Sequence, residues 1–224
     1  MSDDFEGEIT SDRALQSGHV WVGGGPYPAQ STLAAALARF VPAYPRVSVR
    51  LVIRDWDELL RGLRSRDIEF FVAETSTLQQ EVDVAIEPLP RHPLYFAARA
   101  GHPLATDRNA TATDIFAHPI VSVSRIPSRM LEPLRAAQRK SADPEAAMRS
   151  FPALECNALS VISQVVLGSD AVMVTTLTSI VADLESGRIT LLGKEPWMST
   201  NYGIISLKNH ALTLAASRFR EFVI

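Results

Sequence analysis

The residues able to do chemistry on this chain are few and scattered. The five histidines are His19, His92, His102, His118 and His210, and none stands at a metal-ligand spacing from another His or from a Cys. They read as turn or surface residues. The single cysteine, Cys156, could act as a nucleophile or a redox sensor. Reactivity would need a lowered pKa, and a free cysteine at a strand end reads more simply as a small buried hydrophobe. No G-x-S-x-G elbow presents a nucleophilic serine. Gly23-Gly24-Gly25 suggests a nucleotide loop, yet neither G-x-G-x-x-G nor G-x-x-x-x-G-K-[ST] is present, and Pro26, Tyr27 and Pro28 would stiffen such a loop. Asp55 and Asp57 could pass for paired carboxylates, but a capping box of Asp55 with Glu58 accounts for them. The expectation is no catalytic residue, no metal and no cofactor.

What remains is a binding geometry, set by the elements that carry it. His19–Gly24 is the first strand, closed by Gly23 to Pro26. A helix from about Ala29 follows, with a stripe of Leu33, Leu37, Phe40 and Val41, ended by Pro42 and Pro45. Val47, Val49, Leu51 and Ile53 alternate at the strand period. Trp56, Leu59, Leu60 and Leu63 form the apolar face of the next helix, and Ile68–Ala73 is a run suited to a strand buried on both faces. Val84–Leu89 adds a further strand.

The pattern restarts after residues 90–94. Strands are expected at 94–99, 120–124, 153–156, 171–174, 189–192 and 202–207. Helices are expected at 130–140, after Asn157 as N-cap (Leu159, Ile162, Val166, ended by Gly168), after Thr175 or Thr176 (Leu177, Ile180, Val181, Leu184), and at 211–222. Alternating strands and helices imply an α/β fold with parallel sheets, and the break implies two lobes.

In open parallel sheets ligands sit at the carboxyl ends of the strands, near helix N-termini. Polar groups fall at such ends throughout: the turn Tyr27 to Ser31, Glu74 and Thr75, Ser124 and Arg125, Asn157, and Thr175 with Thr176. Each also serves a local turn or cap; the set at strand ends says more than any member.

Composition bounds the function. The 224 residues exceed the roughly 150 of a typical domain, enough for one large domain or two small lobes. Twenty-two basic residues against 25 acidic ones give a net charge of −3, so this polypeptide alone is not expected to hold a nucleic acid duplex. One cysteine points to a reducing cytoplasm. The acidic start, Met1-Ser2-Asp3-Asp4, is unlike a secretory signal, and the apolar runs fall short of the ~18 residues a membrane span needs. Asn109-Ala110-Thr111 is a glycosylation sequon, without meaning in a cytoplasmic protein.

Ordered along the chain, several segments resemble a known family. They are the Gly-Pro-Tyr-Pro turn and its helix, Ala38-Arg39-Phe40 through Val49, and Leu59 through Phe70. Glu87-Pro88-Leu89 follows, then Leu94 through Ala105, which carries an R-x-G-H-P-L-A loop, and Val165 through Val174. Together, over roughly residues 18–222, they resemble the effector-binding domain of LysR-type transcriptional regulators. The loop is the most specific piece. In the last segment the family's second glycine is replaced by Asp170.

The resemblance implies two Rossmann-like lobes joined by two crossover strands, as in type II periplasmic binding proteins, with a small-molecule effector in the cleft. It implies residues 1–18 as residual linker, 19–93 plus 200–224 as lobe I and 94–199 as lobe II. Matched by position, the effector contacts are Gly25, Tyr27, Pro28, Ala29, Glu74, Ser124, Asn157 and Thr175; Arg125 either offsets the charge of Glu74 at the site or is simply solvated. Family members often place Ser or Thr hydroxyls where this chain has Tyr27 and Pro28. Nothing before His19 could form the family's helix-turn-helix, so DNA contact, and RNA polymerase contact, would belong to a full-length protein. The implied partners are the effector and a homodimer or higher homo-oligomer formed through lobe edges. A stand-alone solute-binding protein and an enzyme of the same architecture are the alternatives; the first lacks a signal segment and the second a catalytic constellation.

Overall fold

The computed structural model describes residues 18–107, 110–140 and 150–224. Residues 1–17 of the expected linker, and Asn109 of the sequon, lie outside the described residues. The chain divides into two compact units. One holds the described residues through Ala73 with Glu81–Leu89 and Gly203–Ile224; the other holds Glu74–Gln80 with Pro90–Tyr202.

In the first unit a five-stranded sheet runs in the order β2-β1-β3-β10-β4, formed by β1 (Gly18–Gly24), β2 (Val47–Ile53), β3 (Phe70–Glu74), β4 (Val84–Pro88) and β10 (Tyr202–Leu207). β1 lies parallel to β2 and β3, while β10 and β4 are antiparallel. Strand alternation puts Val20 and Val22 on one face, wholly buried under α2 (Ala34–Ala43) and α8 (Leu214–Val223). Phe40 anchors that layer, with ring centroids 5.0 Å from Phe219 and 5.3 Å from Phe222. The Thr213 hydroxyl caps α8, accepting from the Ala216 N–H at 3.2 Å. The opposite face receives Leu59 of α3 (Trp56–Arg64).

Here the structure revises details. The short helix α1 (Pro26–Pro28) leads through a π-helical stretch, Ala29–Leu33, into α2. The buried stripe is Leu33, Ala36 and Phe40, with Leu37 partly buried. Val41 is exposed, because one residue beyond Phe40 is a 100° turn away from the core. Pro42 lies inside α2 rather than ending it. Placed in the last turn, it removes only one N–H, and Tyr44 N–H still reaches the Phe40 carbonyl at 2.9 Å. Asp55 occupies the N-cap of α3 without making the capping bond, and Glu58 pairs instead with Arg54 at 3.3 Å.

The second unit's sheet has the order β7-β6-β8-β5-β9, from β5 (Tyr95–Arg99), β6 (Ile120–Ser122), β7 (Leu154–Glu155), β8 (Val172–Thr175) and β9 (Ile189–Gly193). β6 is parallel to β7 and β8; β5 is antiparallel to β8 and β9. Each sheet is therefore mixed rather than parallel throughout. An apolar run records burial on both faces, not direction, and a strand entered without a helical crossover is free to run the other way. Helices α4 (Ala112–Ile115), α5 (Ser128–Arg139), α6 (Leu159–Leu167) and α7 (Val181–Glu185) complete the unit. Its core gathers Phe96, Phe116, Ile120, Met130, Leu134 and Val172.

Three cap assignments change in this unit. Ala158, not Asn157, is the N-cap of α6. Neither Thr175 nor Thr176 caps the next helix by its side chain: a 3₁₀ turn, Thr178–Ile180, intervenes with Leu177 as its N-cap. That turn has three residues per repeat, so the expected stripe loses phase; Ile180 is buried while Leu177 and Val181 are exposed. Thr111 and Asp114, in contrast, form a complete capping box on α4.

Candidate functional site

In the first unit the candidate residues follow β1 directly. Gly25 N–H donates to the Val72 carbonyl at 2.8 Å, which ties the turn to β3. Its φ of −61° is open to any residue, and a Cβ there would meet nothing closer than 3.6 Å. The glycines that matter sterically are the two before it. A Cβ on Gly23 would lie 2.5 Å from Leu59, and one on Gly24 2.6 Å from Leu33. The glycine run is thus a packing device that lets α3 and the Ala29–Leu33 helix close on the sheet, not a phosphate cradle. Pro28 and Ala29 are buried, and Tyr27 is half-buried. The Ser31 hydroxyl donates to the Tyr27 carbonyl at 2.9 Å, holding the π-helical turn. Such turns recur at functional sites because they re-aim side chains and backbone groups.

In the second unit the parallel strands β7, β6 and β8 are neighbours, so Asn157, Ser124 and Thr175 share one end of the sheet. Ser124 adopts φ +75°, and its carbonyl accepts from the Ser122 hydroxyl at 2.8 Å. A positive φ at a non-glycine residue is held there by its surroundings. Thr175 is fully buried, with its hydroxyl 3.4 Å from the Thr176 carbonyl. Asn157 and Arg125 are exposed.

The most developed polar cluster centres on Glu74, the last residue of β3, which groups with the second unit. Arg129, in the first turn of α5, forks onto both carboxylate oxygens, at 3.2 Å from Nε and 3.0 Å from Nη2. Its Nη2 also donates to the Ser199 carbonyl. The Ser76 hydroxyl (2.8 Å), the Ser76 N–H (3.3 Å) and the Asn201 N–H (3.2 Å) complete the shell around Glu74. Side-chain exposures of 14% for Glu74 and 28% for Arg129 mark the pair as mostly buried. A bidentate guanidinium–carboxylate contact is among the stronger polar interactions. The charge of Glu74 is therefore answered by Arg129, a residue absent from the sequence reading. Nothing local to Glu74 in the sequence names this partner, which lies 55 residues further along the chain.

Two single-residue expectations are revised. Cys156 is half-buried, not buried; it lies just past the two-residue β7, and its N–H donates to the Ser122 carbonyl at 3.1 Å, continuing the pairing of β7 with β6. His102 lies in a turn segment, one of the two expected settings, but is 3% exposed rather than at the surface, and its ring lies 4.3 Å from that of His118. Its Nδ1 accepts from the Leu104 N–H at 3.1 Å, so Nε2, 3.3 Å from the Asp170 carbonyl, carries the proton and donates. Burial, and next the proximity of His118, push its pKa below the ordinary value. The neutral ring stitches the loop Gly101–Ala105 to the segment before β8. Asp170, standing where the family pattern has glycine, pairs with Arg99 at 2.6 Å, and this hydrogen bond holds its carboxyl below the usual range.

Among the described residues no group of three or more His, Cys, Asp or Glu could hold a metal ion, and no helix is long and apolar enough to cross a membrane. Residues 13–224 match the family model described as LysR substrate binding domain. The chain is 29% identical over 215 residues to the SDS degradation transcriptional activation protein of a Pseudomonas species, covering 94% of this chain and 67% of that protein. Its structure is similar to that of HinK, a LysR family transcriptional regulator from Pseudomonas aeruginosa, with 18% identity and a TM-score of 0.68, covering 100% of this chain and 74% of that one. It is also similar to the regulatory domain of CcmR from Synechocystis, solved in complex with 2-PG, with 16% identity and a TM-score of 0.71, covering 92% and 96% of the two chains.

Proposed function

The chain belongs to the LysR substrate-binding domain family, and from that premise we propose that it senses a small-molecule effector on behalf of a transcriptional regulator. The observation that carries this reading is the family match over nearly the whole chain. It is supported by the polar and backbone groups at the carboxyl ends of the parallel strands. Its relatives are transcriptional regulators, and we read this chain as non-catalytic. The effector contacts are Gly25, Tyr27, Pro28 and Ala29 on the first unit and Ser124, Arg125, Asn157 and Thr175 on the second. Glu74 acts with Arg129 as a neutral pair, so its charge does not repel an anionic effector. Lobe I comprises residues 19–93 plus 200–224 and lobe II residues 94–199. The domain pairs as a homodimer or higher oligomer in the cytoplasm, and reaches DNA and RNA polymerase through a full-length regulator. Effector binding alters transcription because the effector has different affinities for the regulator's two states.

A thermal-shift screen with small organic acids, amino acids and aromatics tests the reading. A ligand at about 100 times its dissociation constant stabilises the fold by about 2.7 kcal/mol. Tyr27→Ala and Asn157→Ala then weaken binding of the hit, measured by calorimetry, with little loss of fold. Unchanged affinity in both variants removes the site assignment while leaving the family assignment standing.

A further inference from the structure

The first unit carries a concave surface that shares no residue with the effector contacts proposed above. Strand alternation in β1 sends Val20 and Val22 into the core and Trp21 to the other face, where it remains 41% exposed. The parallel register sets Trp21 opposite Arg50 of β2, and the Arg50 guanidinium lies 5.1 Å from the centre of the indole ring. Two positions further along, Gly23 opposes Val52, so Arg50 and Val52 line one strand face, with Arg54 just past the end of β2, while Gly23 contributes no side chain. Leu59 and Gly62 of α3, with Ile68, form the facing wall. Between the walls lies a groove of about 530 Å³. That is within the roughly 300–1,000 Å³ range of small-molecule sites.

The charges around it are unequal in their commitments. Arg54 is taken by Glu58 at 3.3 Å and Arg61 by Asp57 at 3.6 Å. Asp67 accepts the Ser65 hydroxyl at 2.6 Å. Arg50 alone of these cations has no carboxylate partner among the described residues; its contact is the indole face. A guanidinium offers a fork suited to one carboxylate, and an exposed indole offers a flat apolar surface suited to stacking. Glu58 and Asp67 at the rim disfavour a second negative charge.

We propose that this groove binds an aromatic monocarboxylate, with the carboxylate on Arg50 and the ring against Trp21, Val52 and Leu59. The site does not depend on the effector reading, since both can hold or fail separately.

The test is an amide and indole N–H chemical-shift titration of the chain with benzoate, with cyclohexanecarboxylate and benzyl alcohol as comparison ligands. The expected result is a saturable shift of the Trp21 indole and the Gly62 amide, with a dissociation constant of about 1 mM or tighter. Cyclohexanecarboxylate loses the stacking and benzyl alcohol the charge, so both bind more weakly. Arg50→Gln weakens benzoate about tenfold, the loss of a charge-assisted contact. Trp21→Leu removes the preference for benzoate over cyclohexanecarboxylate. Both side chains are exposed, so both variants keep the wild-type Tm within a few degrees. Tyr27→Ala leaves these shifts unchanged. An unshifted Trp21 indole at about 20 mM benzoate overturns the proposal, being far above the affinity range in which such a site would matter. Equal binding of benzyl alcohol, or undiminished binding by Arg50→Gln, overturns it as well.

Discussion

The two units build their strand ends from different materials. In the first, the turn after β1 is shaped by backbone and packing: two obligate glycines, a Pro-Tyr-Pro corner and a π-helical turn, with no charged side chain among its candidate contacts. In the second, Ser124 is held at positive φ after β6, and Glu74, which ends β3 of the first sheet but groups with this unit, is locked by Arg129. The cores differ likewise. The first is knitted by a cluster of rings, Phe40, Tyr44, Phe70, Phe219 and Phe222. The second packs mostly aliphatic side chains around Phe96 and Phe116. One half of the molecule relies on shape; the other relies on charge and on satisfied hydrogen bonds.

The contrast can be broken by mutation. Phe40→Ala removes a fully buried ring with three aromatic neighbours and lowers stability by about 3–5 kcal/mol in denaturant unfolding. Leu134→Ala, at an equally buried site in the second unit, costs about 2–4 kcal/mol. A larger loss at Leu134 would reverse the expected order of the two cores.

The next effect is electrostatic. Arg129→Ala strands a mostly buried carboxylate and costs about 1–3 kcal/mol. The double variant Glu74→Gln with Arg129→Met costs less than Arg129→Ala alone, because it removes both charges together. If the double variant is worse, the pair contributes net stability rather than mutual neutralisation.

Helix caps give a smaller comparison. Thr111→Ala breaks a complete capping box in the second unit and costs about 1 kcal/mol. Asp55→Ala, at an N-cap that makes no side-chain capping bond, loses no cap and costs less than about 0.5 kcal/mol. Equal losses in thermal unfolding would show that Asp55 acts through the helix dipole as strongly as Thr111 acts through its bonds.

The smallest effect is set by pH. His102 has a folded pKa below its ordinary 6.5, so the unfolded chain takes up the proton first. Its contribution is fully present above about pH 6.5 and is lost as pH falls through the lower, folded value. A Tm profile against pH that slopes downward on the acid side, and flattens in His102→Gln, checks this. A profile unchanged by the substitution assigns the slope to other groups.

Much of the fold was legible because periodicity reports burial directly. Val20 and Val22, Leu59 and Leu63, and Ile162 and Val166 are buried where their spacing puts them. Legibility failed where a local irregularity changes the phase. The 3₁₀ turn Thr178–Ile180 displaces Leu177 and Val181 to the surface, and the register of the turn after β7 moves the cap from Asn157 to Ala158. It failed also for partners far apart in sequence: nothing local to Glu74 names Arg129, 55 residues away, and nothing local to His102 names Asp170.

The amino-acid sequence by itself determined most of the strands and helices, and the family, because apolar period and ordered motifs are one-dimensional properties. Tertiary structure alone decided which strands run antiparallel, which charges meet, that His102 is buried and neutral, and that Gly23 and Gly24 serve packing. Those outcomes depend on which surfaces face each other across the sheets, and contact free energy is set by that pairing rather than by any residue's own preference.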